Sequence, residues 1–398
     1  MLNDINTSSY HTPIMLPQVL SLLRPERGGT YVDGTLGGGG HSLGILRSLP
    51  AGGRLFGIDR DGEAIAEASA RLSVFPNFTA VRGNFFQLTE LLNARGVNGA
   101  DGILLDLGVS SHQLDDAERG FSYGSEARLD MRMDKSAPLS AHDVVNSYDT
   151  AALTRIIRDY GEERFASRIS NAIGAARADK PIETTTELAE IIKNAIPAAA
   201  RRDGPHPARR TFQAIRIEVN GELAGLEQAV RDAIRFLNPG GVIAVITFHS
   251  LEDRIVKNVF KNLANPCTCP PNAPVCVCGL KPEVAILTKK PLVADDTELD
   301  LNSRSRSAET HKHDGGRIKW QRIQDLTAEL LKKCVSMRQT TAHWHTKAII
   351  FTTQGLQRLN PSAGRKLPRP QKPSQRFARR KRAFRFPSRC VNAKSELS

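Results

Sequence analysis

The sequence lacks any apolar run long enough to cross a membrane. Its longest apolar stretch, around Val242–Phe248, is far shorter than the ~20 residues that a transmembrane helix requires. Met1–Tyr10 is polar and lacks the basic and then apolar pattern of a secretory signal peptide. We therefore expect a soluble, cytoplasmic protein without a membrane partner.

The sequence also lacks the G-x-G-x-x-G fingerprint of dinucleotide-binding folds, which argues against a nicotinamide dehydrogenase. It has instead four consecutive glycines, Gly37–Gly40, just after an apolar run that ends at Asp33. Residues without Cβ let a backbone pass close to a bulky ligand, although a tight turn without a ligand is the alternative. A carboxylate ahead of the glycines would repel a pyrophosphate and suits a cationic or zwitterionic ligand such as S-adenosylmethionine. Asp59 ends the next apolar run, near the spacing at which a carboxylate meets ribose hydroxyls.

Cysteine is scarce, with six residues in the chain. Four of them form two Cys-x-Cys pairs, at Cys267, Cys269, Cys276 and Cys278. Structural zinc sites usually have two to four residues between paired cysteines, so a single intervening residue argues against a metal. We expect a reduced, proline-rich surface loop without metal, as in most cytoplasmic proteins, and zinc is the alternative.

The excess positive charge is confined to the end of the chain. Residues 309–398 contain 21 Lys/Arg and 5 Asp/Glu, which gives a net charge of +16. The remaining 308 residues contain 34 Lys/Arg and 37 Asp/Glu, which gives a net charge of −3. A basic tail attracts nucleic acid without sequence specificity, and a solvated tail without a target is the alternative. Its low complexity and charge predict disorder, with one possible helix at Ile318–Met337.

Short apolar runs alternate with amphipathic helical segments, which predicts a doubly wound α/β domain with a parallel sheet. The predicted strands are Thr30–Asp33, Arg54–Asp59, Thr79–Arg82, Gly102–Asp106 and Val242–Phe248, and the predicted helices are Ser42–Ser48, Gly62–Leu72 and Gln87–Asn93. Ligands of such sheets bind at the carboxyl ends of the strands. Four of these ends carry polar residues, namely Asp33, Asp59, Asn84 and Asp106. The sequence therefore predicts a ligand site along that edge.

Between the fourth and fifth predicted strands the alternation stops. Apolar residues then recur at helical spacing in three sets: Phe165, Ile169, Ile173 and Ala176; Leu188, Ile191, Ile192 and Ala195; and Phe212, Ile215, Val219, Leu223 and Leu226. The pattern predicts a helical insertion at about 115–215 that covers the ligand-binding end of the sheet. Residues 238–241, Asn-Pro-Gly-Gly, predict a turn into the fifth strand.

Taken together, the motifs resemble the MraW/RsmH family, the bacterial 16S rRNA (cytosine-N4)-methyltransferases. The resemblance covers about residues 5–308 and is carried by residues 11–16, 32–42, 57–61, 101–120, 129–134, 160–165, 206–222 and 248–257. It implies a Rossmann-like class I S-adenosylmethionine-dependent methyltransferase sheet with an inserted helical subdomain.

The resemblance also implies a cofactor site and a substrate. Its cofactor residues correspond here to Gly39, Gly40, His41, Asp59, Phe85, Asp106 and Gln113. The chemistry and positions of the glycines, Asp59, Phe85 and Asp106 independently suit these roles, whereas nothing else in the sequence points to Gln113. The implied reaction is methylation of a cytidine N4 in 16S rRNA within the small ribosomal subunit, and the implied compartment is the cytoplasm.

The target amine is a poor nucleophile because its lone pair is delocalised into the ring, so orientation and hydrogen-bond acceptors must assist the transfer. Many amino-methyltransferases use a Pro-Pro loop after the fourth strand, whereas this chain has Ser110 and Ser111 there. We assign no catalytic base. The arginines at 201, 202, 209 and 210 are candidates for phosphate contacts, with a solvated helix start as the alternative.

The end of the chain departs from the family. Members usually stop soon after the segment that matches residues 303–308, whereas this chain continues to Ser398. A reading-frame shift near codon 309 and a genuine basic extension are the two hypotheses, and under either one a final strand can be missing. We expect methyltransferase segments at 1–114 and 216–308, an inserted helical segment at 115–215 and an atypical tail at 309–398. Rival functions are a noncatalytic RNA-binding or ribosome-assembly protein and a methyltransferase for DNA or protein.

Overall fold

A computed structural model describes residues 13–202, 204–270, 273, 275–288, 292 and 346–352. The strands are β1 Thr30–Asp33, β2 Arg54–Asp59, β3 Phe78–Arg82, β4 Ala100–Asp106, β5 Leu237–Thr247, β6 Val284–Ile286 and β7 Thr346–Thr352. They form one sheet in the order β3-β2-β1-β4-β5-β7-β6, and each of the pairings is parallel. The order reverses between β1 and β4, which is where ligands of doubly wound sheets bind.

The helices surround this sheet and fill the long connection between β4 and β5. They are α1 Leu16–Leu23, α2 Gly40–Ser48, α3 Gly62–Leu72, α4 Leu88–Asn93, α5 Ser111–Asp115, α6 Ala141–Ser147, α7 Thr150–Asp159, α8 Ala166–Asp179, α9 Thr185–Ala195, α10 Arg209–Asn220, α11 Leu226–Arg235 and α12 Ser250–Ala264. Within the ranges that the structure describes, none of these helices is long and apolar enough to span a bilayer.

The central strands are buried on both faces because successive side chains point to opposite sides of the sheet. Ile103 and Leu105 of β4 pack on one face with side chains from α4, α11 and α12. Leu104 packs on the other face with side chains from α1, α2 and α3. The apolar runs of the sequence are therefore continuous rather than alternating, which confirms the predicted Rossmann-like α/β fold.

The predicted elements match the structure closely around the first two strands. The predicted Arg54–Asp59 strand and Gly62–Leu72 helix have the bounds of β2 and α3, since the Asp61 side chain accepts a hydrogen bond from Glu63 N and caps α3. The turn predicted at residues 238–241 instead belongs to β5. Ala100 pairs with Leu237 and Gly102 with Val242, so the extra residues of β5 bulge out of the ladder.

The tail contains regular structure that the sequence analysis did not predict. Residues 346–352, predicted to be disordered, form β7, which pairs with β5 from Val242–Lys347 to Thr247–Thr352. The run Thr-Lys-Ala-Ile-Ile-Phe-Thr is rich in β-branched residues, which favour strands. The prediction of a disordered tail is wrong for this segment, and in this structure a last strand is present. The helix predicted at Ile318–Met337 lies outside the described residues.

The long connection between β4 and β5 builds a second apolar cluster with members from Phe121 to Val219. The predicted stripes on α8, α9 and α10 contribute to it through Ile169, Leu188 and Phe212. The third predicted stripe does not continue to Leu226, because α10 ends at Asn220 and Gly221 adopts the left-handed conformation with φ 59°. The segment boundaries at 114/115 and 215/216 stay predictions.

Arg119 connects the sheet to the start of the helical insertion. It is only 2 % exposed, and its Nη1 donates to Asp61 Oδ2 at 2.9 Å and to Glu63 Oε2 at 2.8 Å. Its Nη2 donates to the carbonyl oxygens of Arg132 and Met133, each at 3.0 Å. One buried guanidinium therefore ties the β2–α3 turn to a loop that leads into the insertion.

We predict that Arg119→Met lowers the free energy of unfolding by about 3–5 kcal/mol, because it leaves the buried Asp61 carboxylate without its cation. Urea denaturation followed by circular dichroism measures this loss. Arg158→Met is the matched control, since Arg158 is 63 % exposed and pairs with Asp159 beside it, so a change below about 0.5 kcal/mol is expected. Equal denaturation midpoints for the two variants would contradict the prediction.

Candidate active site

A cavity of about 540 Å³ lies at the carboxyl ends of the central strands. One wall consists of the turns after β1, β2, β3 and β4, and the other comes from the long connection between β4 and β5 through Phe121, Tyr123 and Phe212. Six of the seven predicted site residues line this cavity: Gly40, His41, Asp59, Phe85, Asp106 and Gln113. The structure thus brings together side chains that are far apart in the sequence.

The glycine run makes the turn from β1 into α2. Gly37 and Gly39 have φ values of 49° and 74°, a conformation that side-chain-bearing residues rarely adopt. Gly39, the seventh predicted residue, lies behind the cavity wall, where it is the N-cap of α2 and where a Cβ would lie 3.0 Å from Leu72 Cδ1. Gly37 and Gly40 expose backbone on the wall itself.

Asp59 ends β2 and holds the glycine turn in place. Its Oδ2 accepts a hydrogen bond from Gly37 N at 2.8 Å, and its Oδ1 accepts one from Asp61 N at 2.9 Å. Burial raises the pKa of Asp59 to about 6. Each oxygen has a further lone pair with which it can accept a ligand hydroxyl.

Asp106 ends β4, next to β1 in the centre of the sheet. Its backbone N–H donates to Thr35 Oγ1 at 2.6 Å, and its Oδ2 lies 3.6 Å from His41 Nδ1. Among the described residues its Oδ1 is buried without a hydrogen-bond partner. Burial raises the pKa of Asp106 to about 6. A buried carboxylate oxygen without a partner is costly in a folded protein and is typical of a ligand site.

His41 connects the segment before α1 to this centre. The His41 ring is 7 % exposed, and its Nε2 lies 2.9 Å from Ile14 O, so this nitrogen donates to the carbonyl. Phe85 stands at the start of the turn after β3, and Asn84 caps that turn by accepting from Phe86 N at 3.1 Å. The Phe85 ring meets the Phe86 ring edge-on, with centroids 4.8 Å apart.

Gln113 and Asp33 play structural roles that the sequence did not reveal. Gln113 Nε2 donates to Asp61 Oδ2 at 2.8 Å, and its Oε1 accepts from Ser110 N at 3.0 Å in a capping box. Asp33, predicted to face a cationic ligand, is 1 % exposed and accepts hydrogen bonds from Ser42 Oγ at 2.7 Å and Thr35 N at 3.2 Å. Asp33 therefore stabilises the glycine turn through these hydrogen bonds and does not line the cavity.

A buried polar cluster on the cavity wall escaped the analysis of individual residues. Arg216 of α10 makes a two-pronged ion pair with Glu222, with both contacts at 2.8 Å. His249 Nε2 lies 3.1 Å from Glu252 Oε1 at the start of α12. Burial alone would raise the pKa of Glu252, but His249, Arg216 and the Phe248 N–H lower it overall. Both pairs are local in sequence, since His249 and Glu252 are three residues apart at the start of α12 and Glu222 follows the end of α10, which contains Arg216. Only the fold shows that both pairs line one cavity.

The predicted RNA-binding arginines are divided by the fold. Arg209, at the start of α10, lines the cavity. Arg210 is exposed, and its guanidinium donates to Glu162 O at 3.1 Å and lies 4.0 Å from Glu163 Oε2. Arg201 and Arg202 lie at the end of a short 3₁₀ turn that is not part of the cavity wall.

The chain is similar to several known proteins. A relative in Symbiobacterium thermophilum, named ribosomal RNA small subunit methyltransferase H, is 54% identical over 300 residues, which are 75% of this chain and 94% of the relative. A relative of the same name in Lachnospira eligens is 54% identical over 299 residues, 75% of this chain and 95% of the relative. Among solved structures, a putative rRNA-methylase from Clostridium thermocellum aligns over 24% of this chain and 49% of its own, with 18% identity and a TM-score of 0.21.

The model of the MraW methylase family matches residues 8–312, which include β1 to β6 and all of the helices listed above. This match covers more than half of the chain and contains each residue that lines the cavity. The chain therefore belongs to the MraW methylase family.

Proposed function

We propose that this protein transfers a methyl group from S-adenosylmethionine to the exocyclic N4 amine of a cytidine in 16S rRNA, with the small ribosomal subunit as its substrate. Family membership and the names of the relatives support rRNA methylation. The observation that carries the finer proposal is the half-buried Asp106 carboxylate at the end of a central strand beside a glycine turn, with one buried oxygen that has no partner among the described residues. A ribosomal substrate implies a cytoplasmic enzyme.

The residues on the cavity wall, together with Gly39 behind it, fit the cofactor. The proposed set is Gly39, Gly40, His41, Asp59, Phe85, Asp106 and Gln113. N–H groups in the first turn of a helix have no intrahelical partner and carry partial positive charge. The start of α2 therefore suits the carboxylate of the cofactor's methionine part. Asp59 can accept from ribose hydroxyls, and the Phe85 ring can pack on an adenine face. When bound, S-adenosylmethionine supplies an electrophilic methyl group.

Gly39 and Gln113 act indirectly in this proposal. Gly39 gives the turn the left-handed conformation that brings Gly40 to the wall. Gln113 keeps its hydrogen bonds to Asp61 and Ser110 and thereby fixes the start of α5 beside the cavity. Both residues hold the cofactor site in shape.

Asp106 is the proposed acceptor at the reacting centre. An exocyclic N–H that donates to Asp106 Oδ1, which has no partner among the described residues, would be held in one orientation. Alignment of this kind contributes up to about 7–11 kcal/mol in well-oriented reactions. The carboxylate acts by orienting the amine and by stabilising the positive charge that develops on it. The amine can lose its proton to water after the transfer, so no general base is assigned.

The part of the cavity beside Asp106 suits an unstacked base. Phe248 follows β5, and its Cδ2 lies 3.4 Å from where a Cβ on Gly108 would stand, so its ring is next to the β4 end that carries Asp106. A base that leaves its stack is held by aromatic side chains and by hydrogen bonds to its edge. Arg209 at the cavity wall adds positive charge where a phosphate would approach.

The direct test is nucleoside mass spectrometry of 16S rRNA. Purified full-length protein and S-adenosylmethionine are incubated with small subunits that lack N4-methylcytidine. We predict that N4-methylcytidine appears with the wild-type protein, and free 16S rRNA and DNA serve as competing substrates. Cofactor binding without turnover would contradict the proposal and favour a noncatalytic RNA-binding role, and a methylated base of another kind would overturn the N4 assignment.

We predict that Asp106→Asn lowers the single-turnover rate of methyl transfer by about 10²-fold, since loss of the charged acceptor misaligns the amine. Isothermal titration calorimetry of S-adenosylmethionine measures how much of the loss comes from cofactor binding. Asp159→Asn is the matched control, because Asp159 is an exposed carboxylate outside the cavity. An unchanged rate in Asp106→Asn would remove Asp106 from the reacting centre.

The raised pKa of Asp106 predicts a pH dependence. Burial raises this pKa from 3.8 to about 6, so the carboxylate is ionised above about pH 6 and protonated below it. We predict that kcat/KM for methyl transfer falls as the pH decreases through about 6, because this ratio reports groups of the free enzyme. The acidic limb should be shallower in Asp106→Asn, where Asp59 is another cavity carboxyl with a raised pKa. Identical pH profiles for wild type and variant would contradict the assignment.

A further inference from the structure

The two Cys-x-Cys pairs lie in a loop between α12 and the edge strand β6. The loop is closed at its base by a hydrogen bond from Glu283 N to Leu263 O at 2.9 Å. Loops longer than about 12–15 residues are uncommon in compact domains and are either functional or linker segments. In the loop Val275, Val277 and Leu280 are 70%, 85% and 50% exposed, so their side chains are not packed in an apolar core. Another interaction must therefore give the loop its shape.

The loop brings the four cysteine sulfurs together. Cys276 Sγ lies 3.6 Å from Cys267 Sγ, 3.8 Å from Cys269 Sγ and 3.4 Å from Cys278 Sγ. Cys278 Sγ lies 3.8 Å from Cys267 Sγ. All four sulfurs are within 4.8 Å of one another, and the four cysteines are free. The sulfurs are too far apart for disulfides, whose S–S bond is about 2.05 Å.

These distances match the edges of a tetrahedron around a metal ion. Zinc binds cysteine sulfur at about 2.3 Å, and four sulfurs at the corners of a regular tetrahedron of that radius are about 3.8 Å apart. An iron–sulfur cluster would place several irons and bridging sulfides among the thiolates and spread them further. The arrangement of the four sulfurs therefore suits a single ion.

The backbone of the loop also favours thiolate ligands. Val277 N donates to Cys269 Sγ at 3.4 Å, and backbone groups of Thr268 and Leu280 hydrogen-bond to Cys278. Gly279 follows Cys278 with φ 67°, a left-handed conformation that suits glycine. Outer-shell N–H donors of this kind stabilise and orient metal ligands.

We propose that Cys267, Cys269, Cys276 and Cys278 bind one zinc ion in a structural, tetrahedral site. Four protein ligands leave no open position for a substrate, which separates this site from the chemistry of the cavity. The single residue between the cysteines of each pair does not prevent zinc binding. The loop brings Cys276 of the second pair close to both cysteines of the first pair. The ion cross-links the two Cys-x-Cys pairs and so stabilises a loop whose apolar side chains are too exposed to form a core.

The site would fasten the end of α12 to the sheet edge. Val284, which begins β6 directly after the closing Glu283–Leu263 hydrogen bond, is 2 % exposed and packs in the same apolar cluster as Leu263 and Phe260 of α12. An ion that binds only the folded loop stabilises it by mass action. The N-terminal end of α12 lines the cavity through His249 and Glu252, and zinc would stabilise the C-terminal end of the same helix.

The test measures metal directly and does not require methyl transfer. Full-length protein is purified without chelators from zinc-supplemented medium and analysed by inductively coupled plasma mass spectrometry. We expect about one zinc ion per chain, and the same content in the Cys334→Ser/Cys390→Ser double variant, which removes the two cysteines outside the cluster. Cys267→Ser/Cys276→Ser should lose most of the zinc.

A second measurement uses the wild-type chain, in case the variant fails to fold. Iodoacetamide labelling followed by peptide mapping should modify the four loop cysteines only after a chelator has removed zinc, whereas the labelling of Cys334 and Cys390 should not depend on zinc. Absence of stoichiometric zinc after incubation with the ion, iron in its place, disulfides within the loop or labelling that zinc does not affect would each overturn the proposal.

Discussion

The buried ion pair between Arg119 and Asp61 is the interaction on which the cavity depends. Asp61 ends the turn after β2, caps α3 and accepts a hydrogen bond from Gln113 in α5. Arg119 also donates hydrogen bonds to the carbonyl oxygens of residues 132 and 133. Met133 N in turn donates to Asn220 Oδ1 at the end of α10. The two walls of the cavity are therefore joined through one desolvated pair, whose separation would leave an uncompensated buried charge.

The sequence predicted the sheet well where local signals agree with the global fold. Arg54–Asp59 and Gly62–Leu72 are predicted with the observed bounds because an apolar run, a capping aspartate and an amphipathic segment follow one another. The last strand is missed because its seven residues stand in a charged, low-complexity tail, and composition outweighed their β-branched character. The α10 boundary is missed because the apolar spacing continues past Gly221, where the backbone turns.

The candidate site shows the same division. Asp59 and Asp106 were predicted because parallel strands bring their carboxyl ends to one edge. The roles of Asp33 and Gln113 in shaping the turn depend on hydrogen bonds to Ser42 and Asp61, and the Arg216–Glu222 pair depends on how α10 ends. Such pairings are properties of the folded chain and leave no periodic trace. The cysteine loop is another example. Its two Cys-x-Cys pairs come close together only in the folded chain, and this cannot be deduced from their spacing in the sequence.

The raised pKa values of Asp59 and Asp106 have a thermodynamic consequence for ligand capture. Near pH 6 these two half-buried carboxyls are partly protonated, so the cavity holds less negative charge than its residue types suggest. A cationic ligand that enters favours the ionised forms and lowers both pKa values. Binding in that range would then release protons to the solution, and by linkage its affinity would vary with pH. The measured heat of binding would also contain the ionisation enthalpy of whichever buffer takes up the protons.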